Sequence, residues 1–467
     1  MPAFLDQDFL LDTGTARRLF HEVAAGLPII DYHSHLQQGE IAERKRFRNI
    51  AELWLGGDHY KWRLMRSAGV DESLITGPAS DEDKFRAFCS VLPLAAGNPI
   101  HHWSHLELRR LFGVELLINA ANAGRIWEAA NARLTEMDCW SLLDQAKVEI
   151  ACTTDDPADD LLQHAELANS ALKTRVLPAF RPDAAMRCNK PEFPAYLQRL
   201  GGVAGVRITD FDSLVEALAA RVRFFHSQGG RISDHAIDVP LPPGEITPAL
   251  CQALLERRLA GSQLSEAELG AFQRGLLQEL GKVYAQHGWA MCLHIGAQRN
   301  NNRRRLNTLG PDTGYDSIAD FTSSAGLADL LDTLDAEDQL PKTLLFCLNP
   351  AMNEVLSTLI GAFQDGRTSG KLQFGPAWWF NDHKDGNLRQ LQTLAAHGVL
   401  GTSVGMVTDS RSFASYPRHE YFRRLLCRQL GQWVEAGEYP DDDAALAQIV
   451  RGVSYENAKH YFGLSAP

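Results

Sequence analysis

The chain has 467 residues, of which 45% are hydrophobic and 22% are charged, as is usual for a globular protein. Its formal net charge of −12 favours neither nucleic acid nor an anionic membrane surface as a partner. No apolar run approaches the length of a membrane span, and the first residues lack the basic and apolar regions of a secretory signal peptide.

Seven short apolar runs predict strands, and the amphipathic segments between them predict helices. The runs are rich in Val, Ile and Leu without clean alternation, which is typical of strands buried on both faces. In chain order they are Pro28–Tyr32, Val148–Thr153, Arg175–Phe180, Gly230–Ile237, Ala290–Ile295, Thr343–Leu348 and Leu400–Val407. Repeated strand–helix units predict a parallel sheet, either open or closed into a barrel.

Two regions interrupt the alternation of predicted strands and helices. Residues 37–147 are rich in Trp, Arg and His and predict one long helical insertion. Residues 239–264 are rich in proline and predict a segment that leaves the sheet. No internal repeat or linker separates independent domains. We therefore divide the chain into residues 1–36 with the first strand, residues 37–147 as a helical insertion or lid region, and residues 148–467 with the other strands and the closing helices.

Eight cysteines are scattered through the chain, and none forms a C-x-x-C pair. Most lie in apolar stretches, which indicates buried thiols in a reducing compartment rather than a disulfide framework. We therefore expect a cytoplasmic protein.

Polar residues follow the candidate strands, where barrel enzymes place their chemistry. In chain order they are His33 and His35, Thr154-Asp155-Asp156, Arg181-Pro182-Asp183, Asp234-His235, His294, Asn349, and Asp409-Ser410-Arg411.

The first of these clusters is a His-x-His pair. Successive side chains of a strand point to opposite faces, so His33 and His35 point the same way and can bind one metal ion. The alternative is two polar residues in a surface turn. His101, His102 and His105 lie inside the helical insertion, away from any strand end, and we interpret them as structural.

A barrel with His-x-His after its first strand and Asp after its last resembles the amidohydrolase superfamily. That resemblance implies that His33, His35 and Asp409 ligate a divalent metal, zinc or alternatively manganese. The other interpretation of Asp409 is a helix N-cap, and the two roles are compatible.

Blocks along nearly the whole chain narrow the resemblance to the uronate isomerases. They are Phe9-Leu10-Leu11-Asp12, Gly57 to Arg66, Phe180-Arg181-Pro182-Asp183, Ser233-Asp234-His235, His294-Ile295-Gly296-Ala297 with Arg299 and Asn300–Asn302, and Thr408-Asp409-Ser410-Arg411. One departure is Ser34, where many relatives carry cysteine.

The resemblance implies a distorted (β/α)₈ barrel and the interconversion of aldose and ketose sugar acids, glucuronate with fructuronate and galacturonate with tagaturonate. A proton must pass between C2 and C1 through an enediol, which needs a base, a proton donor and stabilisation of oxygen charge. The implied catalytic residues are Asp409, Tyr60, Arg411 and His59, and the equal alternative for His59 is an ordinary histidine on a helix surface. The implied substrate-binding residues are Arg181, Asp234, His235, His294 and Arg299.

Arginines at strand ends suit the carboxylate of a small uronate substrate, the partner we expect for this acidic chain. Trp378 and Trp379 are candidates for a wall of the sugar pocket, with core or subunit contacts as the equal alternative. Because acidic cytoplasmic barrels often assemble, we also expect a homo-oligomer.

The leading rival function is a metal-dependent hydrolase, a lactonase or amidohydrolase, on the same barrel. Many such enzymes hold a second metal with a modified lysine at a strand end, and Phe180-Arg181-Pro182 has no lysine there. A binding protein without catalysis is a third possibility, disfavoured by the combination of metal ligands with Tyr60.

Overall fold

A computed structural model describes residues 3–320 and 324–465 of the chain. Residues 1–2 and 466–467, at the ends of the predicted first and last regions, lie outside the described residues, as do residues 321–323. Within the described ranges, no helix is long and apolar enough to cross a membrane.

Six of the seven predicted strands are confirmed, with small changes in their bounds. The strands are β1 (Ile29–Asp31), β2 (Val148–Cys152), β3 (Arg175–Leu177), β4 (Ile232–Ile237), β5 (Ala290–Ile295), β6 (Ala297–Gln298), β7 (Ser317–Ile318), β8 (Lys342–Cys347) and β9 (Leu372–Phe374).

Helices fill most of the intervals between the strands. They are α1 (Gly14–Arg18), α2 (Gln38–Ala42), α3 (Ile50–Leu55), α4 (His59–Ser67), α5 (Asp81–Val91), α6 (Pro99–Phe112), α7 (Ala123–Leu134), α8 (Cys139–Gln145), α9 (Leu162–Ala168), α10 (Asp183–Met186), α11 (Phe193–Ala204), α12 (Phe211–Ser227), α13 (Pro248–Leu259), α14 (Glu266–Gln286), α15 (Arg303–Leu309), α16 (Ser324–Asp335), α17 (Asn353–Gly361), α18 (Lys384–His397), α19 (Pro417–Glu435), α20 (Asp443–Arg451) and α21 (Asn457–Tyr461). Seven of them, α2 to α8, lie between β1 and β2.

The parallel strands follow one another in chain order. Hydrogen-bonded ladders join β1–β2–β3 and β4–β5–β8–β9. Isolated parallel bridges from Phe180 to Asp155 and to Ser233 connect the two sheets. The short strands β6 and β7 form a separate antiparallel pair.

The segment 403–410 lies between β9 and β1, the two ends of this series. Gln373 in β9 accepts a hydrogen bond from the Val404 amide at 3.0 Å. At the other side, the Asp409 amide donates to the His33 carbonyl at 3.2 Å, and the His35 amide donates to the Ser410 carbonyl at 3.0 Å. The chain beyond α18 therefore links both edges of the parallel strands.

The predicted strand Leu400–Val407 is wrong. Leu400–Thr402 forms a 3-10 turn, and residues 403–410 form no regular strand. Gly405 has a φ of +71°, and a Cβ there would lie 2.0 Å from the Val453 carbonyl oxygen, so the backbone bends at a position that only glycine can occupy. The strand that the sequence analysis missed is β9, which has three residues.

Side chains of β4 and β5 alternate between two buried faces. Ile232 and Cys292 belong to the inner cluster with residues of β1, β2 and β8. Ile237 and Leu293 belong to the cluster that packs the strands against the outer helices. This alternation decides which polar residues at the strand ends reach the interior.

Candidate active site

A cavity of about 1550 Å³ opens at the carboxyl ends of the parallel strands. Among its lining residues are nine of those predicted for the site: His33, His35, His59, Tyr60, Arg181, His294, Arg299, Asp409 and Arg411.

His33, His35 and Asp409 meet at one side of this cavity. The Oδ1 atom of Asp409 lies 3.1 Å from His33 Nε2 and 3.0 Å from His35 Nε2. Its Oδ2 atom accepts a hydrogen bond from the Trp378 indole at 2.7 Å. Asp409 has a φ of +47°, a conformation that is uncommon for a residue other than glycine. The two predicted histidines therefore converge on the predicted carboxylate.

Burial opposes charge in this cluster, and the neighbours decide the direction of each shift. At Asp409, hydrogen bonds from both histidines outweigh burial and hold the pKa well below its usual range. At His35, burial prevails and lowers the pKa. At His33, the carboxylates of Asp234 and Asp409 outweigh burial and raise the pKa.

A second group shares His33 and lies deeper. His294 Nδ1 lies 2.7 Å from Asp234 Oδ1, and His33 Nδ1 lies 3.7 Å from Asp234 Oδ2. Arg181 Nη1 lies 3.0 Å from the same Oδ2 atom. Despite complete burial, Arg181 and His294 hold the pKa of Asp234 well below its usual range, so Asp234 is a carboxylate.

Both groups satisfy the geometry expected of metal-ligand sets, because one donor atom from each residue lies within 4.8 Å of the others. The set of His33, His35 and Asp409 combines two imidazoles with one carboxylate, a donor set that suits zinc or manganese. In the deeper set, the Arg181 guanidinium already neutralises Asp234.

Helix α4 carries His59 and Tyr60 to the cavity wall. Asp58 caps the helix by accepting hydrogen bonds from the amides of Tyr60 at 2.9 Å and Lys61 at 3.0 Å. The rings of His59 and Tyr60 stack with centroids 4.8 Å apart. The buried Tyr60 hydroxyl has no hydrogen-bond partner among the described residues. Burial raises the pKa of Tyr60 well above its usual range, so this hydroxyl is protonated at neutral pH.

The three predicted arginines all line the cavity, and each already has an acidic partner. Arg181 Nε donates to Asp183 at 2.8 Å. Arg299 lies over the Trp379 ring at 4.7 Å and 3.1 Å from an oxygen of Asp316. Arg411 lies 3.3 Å from Asp312. Paired arginines of this kind are held in position before a substrate carboxylate arrives.

His235 is not brought to this cavity. Its ring contacts Ser233 and Met186 at 3.2 and 3.4 Å and packs near Tyr284. It points to the outer face of β4 because its neighbour Asp234 points to the inner face.

Sequence reasoning missed several residues that shape the site. Asp31 is fully buried and accepts hydrogen bonds from the amide and hydroxyl of Thr408, next to Asp409. Arg418 lines the cavity, pairs with buried Asp382 and covers Trp103 at 4.4 Å. The only sequence feature at Arg418 is the charged run RHEYFRR in α19, and such a run is typical of an ordinary exposed helix surface.

The fold and this site together define an α/β enzyme whose active cavity is lined by histidines, aspartates and arginines at the carboxyl ends of parallel strands. Comparison with known proteins identifies the kind of enzyme. The glucuronate isomerase family matches residues 1–462. Uronate isomerase from Caldicellulosiruptor saccharolyticus is 51% identical over 464 residues, which cover 99% of this chain and 100% of that protein. Uronate isomerase from Pectobacterium atrosepticum is 49% identical over 468 residues, with 99% and 100% coverage.

Comparison with solved structures indicates the same family. Uronate isomerase from Thermotoga maritima matches with a TM-score of 0.93 at 35% identity, covering 99% of this chain and all of that chain. Glucuronate isomerase from Caulobacter crescentus matches with a TM-score of 0.92 at 25% identity, covering 100% and 98%. The chain therefore belongs to the uronate isomerase family, as the sequence analysis predicted.

Proposed function

We propose that the protein interconverts aldose and ketose hexuronates, D-glucuronate with D-fructuronate and D-galacturonate with D-tagaturonate. The observation that carries the proposal is the position of Asp409, which is held by His33 and His35. It lies in the same cavity as the Tyr60 hydroxyl, which has no hydrogen-bond partner in the part of the chain that the structure describes. A carboxylate and a phenol in one buried cavity supply a proton acceptor and a proton donor.

In this proposal the Asp409 carboxylate moves the proton between C2 and C1 of the open-chain sugar. The protonated Tyr60 hydroxyl donates to the oxygen on which negative charge develops. Neutral His59, whose pKa burial lowers, stacks on Tyr60 and accepts a hydrogen bond from a sugar hydroxyl. Arg411 faces the same cavity and stabilises the enediol oxygens.

Recognition of the sugar carboxylate is assigned to Arg181 and Arg299, with Asp234 and His294 orienting Arg181 and His33 from below. His235 is proposed to act indirectly, since it packs behind Asp234 on the outer face of β4.

A divalent metal, zinc or alternatively manganese, would be held by His33, His35 and Asp409. When bound, it supplies a Lewis acid that polarises substrate oxygens. Dialysis against a chelator should lower activity and thermal stability together, and one equivalent of zinc or manganese should restore both.

We propose that the seven parallel strands and residues 403–410 form a distorted (β/α)₈ barrel. The hydrogen bonds from the Asp409 amide to His33 and from the His35 amide to Ser410 support closure. The division into residues 1–36, 37–147 and 148–467, a cytoplasmic location and assembly into a homo-oligomer complete the proposal. All eight cysteines are free and buried, which supports a reducing compartment.

The test is to incubate the purified protein with D-glucuronate in deuterated water and follow the sugar by NMR. We expect fructuronate to form with deuterium at the carbon that receives the proton. Asp409→Asn should abolish turnover while circular dichroism shows an intact fold, and its melting temperature should fall no further than that of the wild type dialysed against a chelator. Hydrolysis of a lactone panel without sugar isomerisation would instead support the rival hydrolase.

A further inference from the structure

A second cavity of about 680 Å³ lies beside the active cavity. Residues at the end of β2, the segment after β3, and helices α10 and α11 line it. Five residues line both cavities, so the two share a wall: Thr154, Arg181, Asp183, Arg187 and Lys190. Its volume falls within the range of about 300–1,000 Å³ that is typical of small-molecule sites.

Asp155 is a lining residue of the second cavity and is 1% exposed. Its Oδ2 atom accepts a hydrogen bond from the Thr153 hydroxyl at 2.7 Å. Its Oδ1 atom has no hydrogen-bond donor in the described part of the chain. A buried carboxylate oxygen without a donor costs stability, so a hydroxyl that reached this atom from the cavity would be bound favourably.

No fixed cation satisfies this carboxyl group within residues 3–320 and 324–465. The nearest basic side chain is His164, whose Nε2 lies 3.7 Å from Asp155 Oδ2. Burial lowers the pKa of His164 to about 4, so the ring is neutral at pH 7. Burial also raises the pKa of Asp155 to about 7. Both metal-ligand groups found in the described residues include His33, which argues against a metal ion beside Asp155.

The rest of the lining supplies groups for a sugar ring and an anion. Arg199 lies 3.3 Å from Asp156 and covers the Tyr196 ring at 5.4 Å. Phe193 adds apolar surface. Arg187, in the shared wall, supplies a second guanidinium, which lies 2.6 Å from Asp238 and 3.3 Å from Asp183. Aromatic faces suit the C–H face of a sugar, carboxylates accept its hydroxyls, and arginines bind its carboxylate.

We propose that this second cavity binds a second molecule of a polyhydroxy sugar acid, with a hydroxyl donating to Asp155 and the carboxylate near Arg199 and Arg187. The choice of ligand rests on the proposed function. Arg187 lines both cavities, so a carboxylate bound near it also contacts the wall of the active cavity, and we expect high substrate concentrations to slow turnover.

The test uses L-gulonate, the sugar acid that has an alcohol at C1 of glucuronate and cannot be isomerised. Calorimetric titration of the metal-loaded, full-length wild type should show two equivalents bound per chain. Asp155→Asn keeps the shape of the side chain but replaces one carboxylate oxygen with an NH₂ group. It should reduce the stoichiometry to one equivalent per chain. Arg199→Gln, on the exposed rim, should weaken the second equivalent at least tenfold. The matched control Arg223→Gln, an exposed arginine of α12, should bind two equivalents.

Kinetics supply the second readout. Wild-type rates should fall at high glucuronate concentration, and Asp155→Asn and Arg199→Gln should abolish this inhibition without changing the rate at low concentration. The proposal is overturned if the wild type binds one equivalent of L-gulonate, or if Asp155→Asn and Arg199→Gln both bind two equivalents. A wild type that isomerises glucuronate yet binds one equivalent refutes only the second site, whereas failure to isomerise counts against the proposed function.

Discussion

Trp378→Phe tests whether Asp409 must be held by a hydrogen bond from the cavity wall. The change removes the indole N–H that donates to Asp409 Oδ2 at 2.7 Å and keeps an aromatic ring beside His294. A hydrogen bond to a charged group contributes about 1.5–3 kcal/mol. Because about 1.4 kcal/mol corresponds to tenfold in rate, we expect turnover of glucuronate to fall about 10- to 100-fold.

The neighbouring Trp379 provides a matched control. Its indole nitrogen is buried and has no hydrogen-bond partner within the described ranges, so Trp379→Phe removes no such bond. A phenyl ring still offers Arg299 an aromatic face. We expect its turnover to change less than about fivefold, which corresponds to about 1 kcal/mol. Steady-state kinetics and melting curves measure both variants. Equal losses in the two variants, or unchanged turnover in Trp378→Phe, would refute the reasoning about Asp409.

Three further predictions concern single side chains. Tyr60→Phe should lower kcat about 100-fold or more with little change in KM, since it removes a proton donor; wild-type kinetics in that variant would exclude Tyr60 from proton transfer. His105 accepts a hydrogen bond from the Ile118 amide at 3.0 Å, and burial lowers its pKa to about 4. The unfolded chain, with a His pKa of about 6.5, binds the proton first, so stability should fall by about 3 kcal/mol between pH 6.5 and 4. Urea denaturation should show a shallower pH slope for His105→Gln, and an identical slope would contradict this assignment. Asp31→Asn should lower both turnover and zinc affinity, because the amide and the hydroxyl of Thr408 donate to different oxygens of Asp31 and Asn replaces one of these oxygens with an NH₂ group. Thr408→Val, which loses one of these two hydrogen bonds, should show a smaller loss, and a larger one would refute the pairing.

Sequence alone could locate the main groups of the site because they follow local rules. A His-x-His pair after an apolar strand keeps both imidazoles on one side, and His33 and His35 do converge on Asp409. The same period of two could have separated Asp234 from His235, since adjacent strand residues face opposite sides. Assigning both to the site ignored that alternation, and the structure brings only Asp234 next to His294 and Arg181.

Other features depend on contacts between distant segments and leave no local pattern. Strand β9 has three residues and follows a segment with three glycines, so its apolar run is too short to recognise. The pairing of Arg418 with Asp382 joins residues 36 positions apart across the cavity wall. In the sequence, Asp31 is an ordinary polar residue at the end of a strand, and its contact with the distant Thr408 cannot be predicted from its neighbours.

The wrong strand at Leu400–Val407 and the position of Asp409 have the same physical cause. The predicted strand would have placed residues 403–407 in a regular ladder. The φ of +71° at Gly405, and that of +47° at Asp409 two residues beyond the predicted end, both lie outside the strand region. The segment instead bends at Gly405 and is held by the His33 carbonyl, by Asp31 through Thr408, and by the Trp378 indole. An uncommon backbone conformation of this kind costs about 1–3 kcal/mol and persists only where surrounding contacts enforce it. Local apolar content therefore failed as a predictor at the segment where distant residues fix the conformation of the carboxylate on which the proposed chemistry depends.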